Sequence, residues 1–285
     1  MINKTLLQKR FNRAAVSYDQ YANVQKKMAR HLLSQLEKRY SKAAAIRILE
    51  LGCGTGYITE KLAHLFPNAQ ITAIDFAESM IAVAKQRRHV DEVTFRCEDI
   101  EKLILDDFYD VIISNATFQW LNDLQVSLVK LYKHLAGEGI LLFSTFGNRT
   151  FQELHRAFER AKEEKNIKSH VSIGQRLFTK AQLQNICSIK KGNVHVSETC
   201  YIEKFTHIRD FFKSIRKVGA TNSNEDTYCQ SPSLFRAMLR IYERDFTKEG
   251  KIIATYHALF AHIEKEGKRR NETNTNKSRL EENCV

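Results

Sequence analysis

Proline is almost missing from this 285-residue chain, with only Pro67 and Pro232, which excludes Pro-rich linkers and polyproline segments. No run of about 18 apolar residues occurs, so no membrane-spanning helix is expected. The opening Met1-Ile2-Asn3-Lys4-Thr5-Leu6 has no long apolar core and no small-residue cleavage site, so no secretory signal is expected there. The six cysteines (Cys53, Cys97, Cys187, Cys200, Cys229 and Cys284) stand apart with no Cys-x-x-Cys. That pattern gives neither a zinc ribbon nor a small disulfide scaffold, and no cluster with metal-ligand spacing is found. Internal repeats are absent too. What remains is 43% hydrophobic residues, enough for a packed core, in a length that suits one large domain or a core with an added lobe. A cytoplasmic protein without a metal is expected.

Charge is unevenly spread. The 45 Lys plus Arg outnumber the 33 Asp plus Glu, for a net +12. Residues 1–47 hold 11 basic and 2 acidic side chains, and residues 148–285 hold 26 and 17. Between them, residues 48–147 hold 8 basic and 14 acidic. An acidic centre is thus flanked by two basic arms. Such arms either solvate helix faces or steer an anionic partner, whether nucleic acid, a phosphorylated cofactor or an acidic protein.

Along the chain, Tyr21, Val24, Met28, Leu32 and Leu36 recur at helical spacing, with Lys26, Lys27, Arg30, Lys38 and Arg39 mostly between them. Strand and helix patterns then alternate. Strands are predicted at 46–51, 71–74, 93–96, 109–114 and 140–146, and helices at 57–65, 77–86 and 124–135. Gly137-Glu138-Gly139 reads as a turn into the fifth strand. This alternation predicts an α/β fold with a doubly wound, mostly parallel sheet. Beyond it lie a helix at 150–165, a β-branched strand at 194–205, helical sequence over 206–248 and a closing strand at 252–260. Phe211, Phe212, Ile215 and Val218 share one face within 206–248, which reads as an insertion over the sheet. From about residue 265 the chain is polar and expected to be disordered.

The strongest local signal is Ile48-Leu49-Glu50-Leu51-Gly52-Cys53-Gly54-Thr55-Gly56. Glycines after a buried strand let the backbone turn sharply and approach a ligand. The spacing is G-x-G-x-G, not the G-x-G-x-x-G of a dinucleotide site, which disfavours a nicotinamide oxidoreductase. Glu50 suits a cationic amino group better than a diphosphate. Asp75 ends the second strand, where a ribose-binding carboxylate belongs. Asp99, with Ile100 beside it, follows the third strand and can accept from an adenine amine. Asn115 ends the fourth strand over the crevice where open α/β sheets bind ligands.

These residues together make 46–146 resemble the class I S-adenosylmethionine-dependent methyltransferases. The resemblance implies that Gly52, Gly54 and Gly56 cradle the methionine and ribose of S-adenosylmethionine, and that Asp75 binds the ribose hydroxyls. It also implies adenine contacts from Asp99 and Met80, with Asn115 near the reactive methyl. Outside the core, Phe11-Asn12-Arg13-Ala14-Ala15-Val16-Ser17-Tyr18-Asp19, Phe143-Ser144-Thr145-Phe146-Gly147, Val218-Gly219-Ala220-Thr221-Asn222 and Ala254-Thr255-Tyr256 resemble the malonyl-acyl-carrier-protein O-methyltransferases of biotin synthesis. That implies a seven-stranded core over 45–205 and 249–264, lid helices over 1–44, an insertion over the active site at 206–248 and a tail at 265–285. The implied substrate is malonyl-phosphopantetheine on an acidic carrier protein, or malonyl-coenzyme A, with neither nucleic acid nor membrane as partner.

A malonyl carboxylate is ionised at neutral pH and needs no general base. The chemistry therefore asks for positioning, a dry pocket and few cations. Tyr18 and Asn115 are the expected neutral donors, Arg149 the expected single cation, and Tyr18→Phe is expected to lower activity without unfolding the chain. Two other readings stay open at this point: a methyltransferase of small free acids, and an RNA-binding methyltransferase-like protein, although the basic arms lack aromatic platforms.

Overall fold

The computed structural model describes residues 1–168, 173–188, 192–220 and 231–266. Two helices, α1 (Lys4–Tyr21) and α2 (Asn23–Arg39), precede the sheet and are separated only by Ala22. Asn3 caps α1, its Oδ1 accepting from the Leu6 amide at 2.9 Å. In α2 the spaced Met28, Leu32 and Leu36 are fully buried against the sheet. Its apolar stripe is part of the main core, and Arg30, Lys38 and Arg39 stay exposed, whereas Lys26 is half-buried.

Strands β1 (Arg47–Leu51), β2 (Gln70–Asp75), β3 (Thr94–Cys97), β4 (Tyr109–Asn115) and β5 (Leu135–Phe146) alternate with α3 (Tyr57–Leu65), α4 (Glu78–Ala84) and α5 (Leu124–Lys133). Then come α6 (Gln152–Glu164), α7 (Lys180–Cys187), β6 (Gly192–Phe205), α8 (Ile208–Lys217), α9 (Pro232–Asp245), the two-residue β7 (Thr247–Lys248) and β8 (Lys251–Lys265). The sheet order is β3-β2-β1-β4-β5-β8-β6, with β7 paired to β8. The first five strands are mutually parallel; β8 runs antiparallel between β5 and β6. The expected seven-stranded, mostly parallel sheet is therefore present, with β7 as a short addition. Because β1 lies between β2 and β4, the order reverses there, and a crevice opens at the carboxyl ends of β1 and β4.

Four local expectations change. Gly137–Gly139 is not a turn: β5 starts at Leu135 and passes through it with a register shift opposite Tyr109 and Val111. Glu138 takes φ of 64° there, so the glycine-rich sequence makes a bulge inside the strand. The closing strand is longer than 252–260, because the buried run continues through Ala261 and Ile263. It extends to Lys265, one residue past the expected end of the core at 264, and 267–285 lies outside the described residues, as do Thr221 and Asn222. The two-turn α7 was not anticipated, since it buries only Leu183 and Cys187 and is marked chiefly by its Thr179–Gln182 capping box.

Candidate active site

The turn from β1 into α3 sets the site. Gly52 and Cys53 both donate backbone N–H to the Ile74 carbonyl, at 2.7 and 2.9 Å, which folds the loop back over β2. Gly52 has φ of 70°, and a Cβ there would lie 2.2 Å from Thr117 Oγ1, so only glycine fits. Gly54 has open space beside it, and its N–H donates to Asp75 Oδ2 at 2.9 Å. Gly56 starts α3 and is pressed against Ala84 and Arg87; it serves helix packing and lines none of the three cavities described below.

Two cavities converge on this turn, and a third adjoins them. The first, about 610 Å³, is lined by Gly52, Gly54, Asp75, Met80, Asp99 and Ile100, and roofed by Leu7, Phe11 and Tyr18 of α1. The second, about 400 Å³, holds Glu50 and Lys26 on its walls beside Gly52 and Gly54. The third, about 1,070 Å³, is an apolar chamber under α8, with Phe146, Phe151, Phe212, Ile215, Val218 and Tyr256 in its wall. Tyr18 and Asn115 line the first two cavities, Gln25 the second and third, and Trp120 the first and third. These four residues mark the junction.

Two buried carboxylates dominate the electrostatics. Burial pushes the Glu50 carboxyl up to about 7, against a partly offsetting hydrogen bond from Thr59 Oγ1 at 2.6 Å. Burial also pushes Asp75 up to about 6, although the Ala77 and Gly54 amides both donate to it. Each ionised form is short of compensation, which a cation or a set of hydroxyl donors would supply. Asp99 is more exposed and accepts from the Glu101 amide at 3.1 Å. The Tyr18 hydroxyl has no hydrogen-bond partner among the described residues, and burial raises its pKa, so it remains a phenol donor at neutral pH.

Asn115 is held on both sides. Its Nδ2 donates to the Gln25 carbonyl at 3.1 Å, and its Oδ1 accepts from Ser144 Oγ at 2.6 Å. This fixes the orientation of the amide and leaves one N–H free. The next residue, Ala116, sits at φ of 51°, a left-handed conformation costing on the order of 1 kcal/mol that turns the backbone along the cavity edge.

The helix α1 is fastened to the loops after β1, β2 and β3 at four points. Lys4 Nζ pairs with Glu101 Oε2 at 2.7 Å and with Asp99 Oδ1 at 3.4 Å. Gln8 Nε2 donates to the Phe76 carbonyl at 2.5 Å, Ser79 N donates to Asn12 Oδ1 at 2.9 Å, and Thr55 Oγ1 donates to Asp19 Oδ1 at 2.8 Å. Arg87 completes the last of these by pairing with both Asp19 and Glu60.

Arg149 is not brought to the junction. Its guanidinium is half exposed, 3.2 Å from Glu198 and 3.2 Å from His257 Nε2, and it lines none of the three cavities. The buried His257 ring under Gly147 turns it away. Two cations do line the cofactor-sized cavities beside the junction: Lys4 in the first, and in the second Lys26, which sequence reading assigned to an exposed helix face. Also missed were Trp120, the chamber itself, and Leu7 and Phe11 of α1, whose four- and seven-residue spacing from each other and from the expected Tyr18 was the available signal.

A family model described as a methyltransferase domain matches residues 42–283. The malonyl-[acyl-carrier protein] O-methyltransferase of Bacillus cytotoxicus is 99% identical over the full length of both chains. The chain belongs to this family. Solved structures agree on the fold. The YcgJ protein of Bacillus subtilis superposes with a TM-score of 0.57 at 15% identity, covering 84% of this chain and 100% of that one. The plantazolicin methyltransferase BpumL in complex with S-adenosylhomocysteine gives 0.50 at 16% identity, covering 93% and 100%. The fold is that of the S-adenosylmethionine-dependent methyltransferases, and for a malonyl-carrier O-methyltransferase the crevice at β1 and β4 is the expected place for chemistry. No described helix is long and apolar enough to cross a membrane.

Proposed function

We propose that this chain transfers a methyl group from S-adenosylmethionine to the free carboxylate of a malonyl thioester on acyl carrier protein, in the cytoplasm. The full-length identity to a protein of that name carries the reading, and the three cavities support it. S-adenosylmethionine supplies a methyl on a positively charged sulfur, which a carboxylate oxygen accepts without proton transfer.

Glu50 and Lys26, an acid and a base on the walls of one cavity, suit the ammonium and carboxylate of an amino-acid end. Asp75 suits the ribose hydroxyls, and Asp99, Ile100 and Met80 suit adenine in the first cavity. Gly52 and Gly54 give the room between. Leu7, Phe11 and Tyr18 make α1 the part of the N-terminal segment that covers the cofactor, and we read it as a lid that opens by releasing its four fastenings.

The substrate side has a different character. No Asp, Glu, Lys or Arg is among the described residues lining the chamber, and burial keeps the one histidine there, His155, below its ordinary pKa and so neutral. A malonyl carboxylate reaching the junction meets neutral donors, the Tyr18 hydroxyl and the free Asn115 N–H. Without a counter-cation its ionised form is left reactive, and a dry site favours a transition state in which charge is dispersed. Malonyl-coenzyme A would present the same acyl group, whereas an acidic carrier adds attraction to the basic arms.

Mass spectrometry of malonyl-carrier incubated with the enzyme and S-adenosylmethionine is expected to show one added methyl group. No mass change, while a small free acid is methylated, would transfer the reading to free acids.

A further inference from the structure

One stretch of surface carries charge that the fold leaves uncompensated. On α8, Arg209, Lys213, Arg216 and Lys217 are exposed and fall at i, i+4, i+7 and i+8, which gathers them on one side of the helix. No side chain among the described residues forms an ion pair or hydrogen bond with any of the four cations. The single acid of the helix, Asp210, turns back to its N-terminus and accepts from the His207 amide at 3.2 Å.

The adjoining pair α6 and α9 is built differently. There Arg160 and Arg244 both pair with Asp245, Arg240 pairs with Glu164, and Lys162 with Glu159. The unpaired stripe on α8 is therefore not a general habit of the basic C-terminal arm.

The other side of α8 is committed to the substrate chamber, where Phe212, Ile215 and Val218 form its wall. One helix, about 10 Å across, thus separates the basic stripe from the space where the acyl group is handled. Alongside runs α1, with Ser17 Oγ donating to the Lys217 carbonyl at 3.4 Å and Val16 88% exposed. Cations around an exposed apolar side chain make a mixed patch of the kind that protein interfaces use.

We propose that the outer face of α8, with Val16 at its edge, docks an acidic helix of the carrier protein that delivers the malonyl thioester. This rests on the carrier-thioester reading above and adds where the carrier sits. Because the apolar side of α8 is buried in the fold, the helix has no face to insert into a lipid surface. Its aromatic residues lie on the inner side, so the stripe lacks the stacking platforms of a single-stranded nucleic-acid site.

The test compares wild type with the double variant Lys213→Glu/Arg216→Glu, using malonyl-carrier and malonyl-pantetheine as substrates and S-adenosylhomocysteine binding as a check on the cofactor side. The KM for malonyl-carrier is expected to rise by roughly thirtyfold at low salt, since the double reversal turns attraction into repulsion. Malonyl-pantetheine constants and S-adenosylhomocysteine affinity are expected to stay within about twofold, because neither ligand touches the stripe. A milder pair, Lys213→Gln/Arg216→Gln, is expected to raise the carrier KM by roughly fivefold, and it stands in if the reversed pair does not fold.

Equal losses on carrier and pantetheine substrates would overturn the proposal, since the helix would then act only by shaping the chamber. An unchanged carrier KM overturns it as well, and so does a loss of tRNA binding that leaves the carrier KM in place. Binding of the unmalonylated carrier to wild type separates this inference from the one beneath it. Salt-sensitive binding without methyl transfer to malonyl-carrier would sink the activity and leave the docking face standing.

Discussion

The cofactor side and the substrate side of this molecule are made of different materials. On the cofactor side the ligand space is shaped by backbone and by carboxylates at strand ends: Gly52 and Gly54, Glu50, Asp75 and Asp99. On the substrate side it is shaped by aromatic and aliphatic side chains contributed by β5, α6, α8 and β8, with no charge among the described residues lining it. On the proposed function, a cationic, hydroxyl-rich cofactor would be held by fixed acceptors, and the carboxylate it meets would stay reactive because nothing cationic lines the chamber. The contrast predicts that substitutions on the two sides fail in different observables.

The largest effect is expected at Gly52. In Gly52→Ala the new methyl would lie 2.2 Å from Thr117 Oγ1 on a backbone at φ of 70°. Backbone strain and overpacking each cost about 1–3 kcal/mol, so S-adenosylhomocysteine affinity by calorimetry should fall by roughly 100-fold or more. Retained affinity would mean that the loop shifts freely, and the cofactor side would lose its claim to be fixed by backbone.

On the other side, Ile215→Trp fills the chamber wall without touching the first two cavities. Its KM for malonyl thioester is expected to rise by roughly thirtyfold, within the range that pocket-size changes span, while S-adenosylhomocysteine affinity stays put. A parallel loss of both would show the two spaces to be one.

A subtler test uses Glu50. Its carboxyl is raised from 4.5 to about 7, so between those values the folded chain binds more protons than the unfolded chain. Stability of the free enzyme must then fall as pH rises through that window. Glu50→Gln removes this dependence, so the variant should melt a few degrees above wild type at pH 8 and close to it at pH 5. Cofactor affinity moves the opposite way: an ammonium ligand favours the ionised carboxylate, so wild-type binding should tighten as pH rises through about 7. Glu50→Gln should flatten that profile and bind roughly tenfold more weakly at pH 8. Melting curves and calorimetry across pH 5–8 check both signs. A variant that is destabilised at pH 8 would show Glu50 to be structural.

The two sides also differed in how far the sequence betrayed them. The sheet, its order of strands and helices, and the glycine turn were legible because each rests on short-range pattern: an apolar run, then glycines, then an acid at the next strand end. Asp75 and Asn115 could be placed because each ends a strand beside β1, and Asp99 because it follows β3, the next strand out, on the same edge of the sheet; strand ends in this topology share one crevice. The chamber had no such signature. Gln25, Trp120, Phe151, Ile215 and Tyr256 come from five separate parts of the chain, and each looks like ordinary core until the fold brings them together. The same limit hid Lys26, whose helical position reads as solvent-facing until Tyr18 and Glu50 are set opposite it.

Arg149 is where proximity in sequence misled most directly, and it supplies the weakest expected effect. It follows β5 by three residues, so its Cα is near the crevice, but direction is decided by partners. His257 occupies the space beneath Gly147, and its Nε2 contacts both Glu198 Oε2 at 2.9 Å and Arg149 Nη2 at 3.2 Å. The guanidinium is thereby drawn toward β6 and away from the junction of Tyr18, Gln25, Asn115 and Trp120. An exposed pair of this kind contributes about 0–1 kcal/mol. Arg149→Ala should therefore leave kcat and the KM for malonyl-pantetheine within twofold of wild type. A loss of more than about tenfold in kcat would return a cation to the reacting carboxylate, and the neutral chamber would no longer account for how that carboxylate is kept reactive.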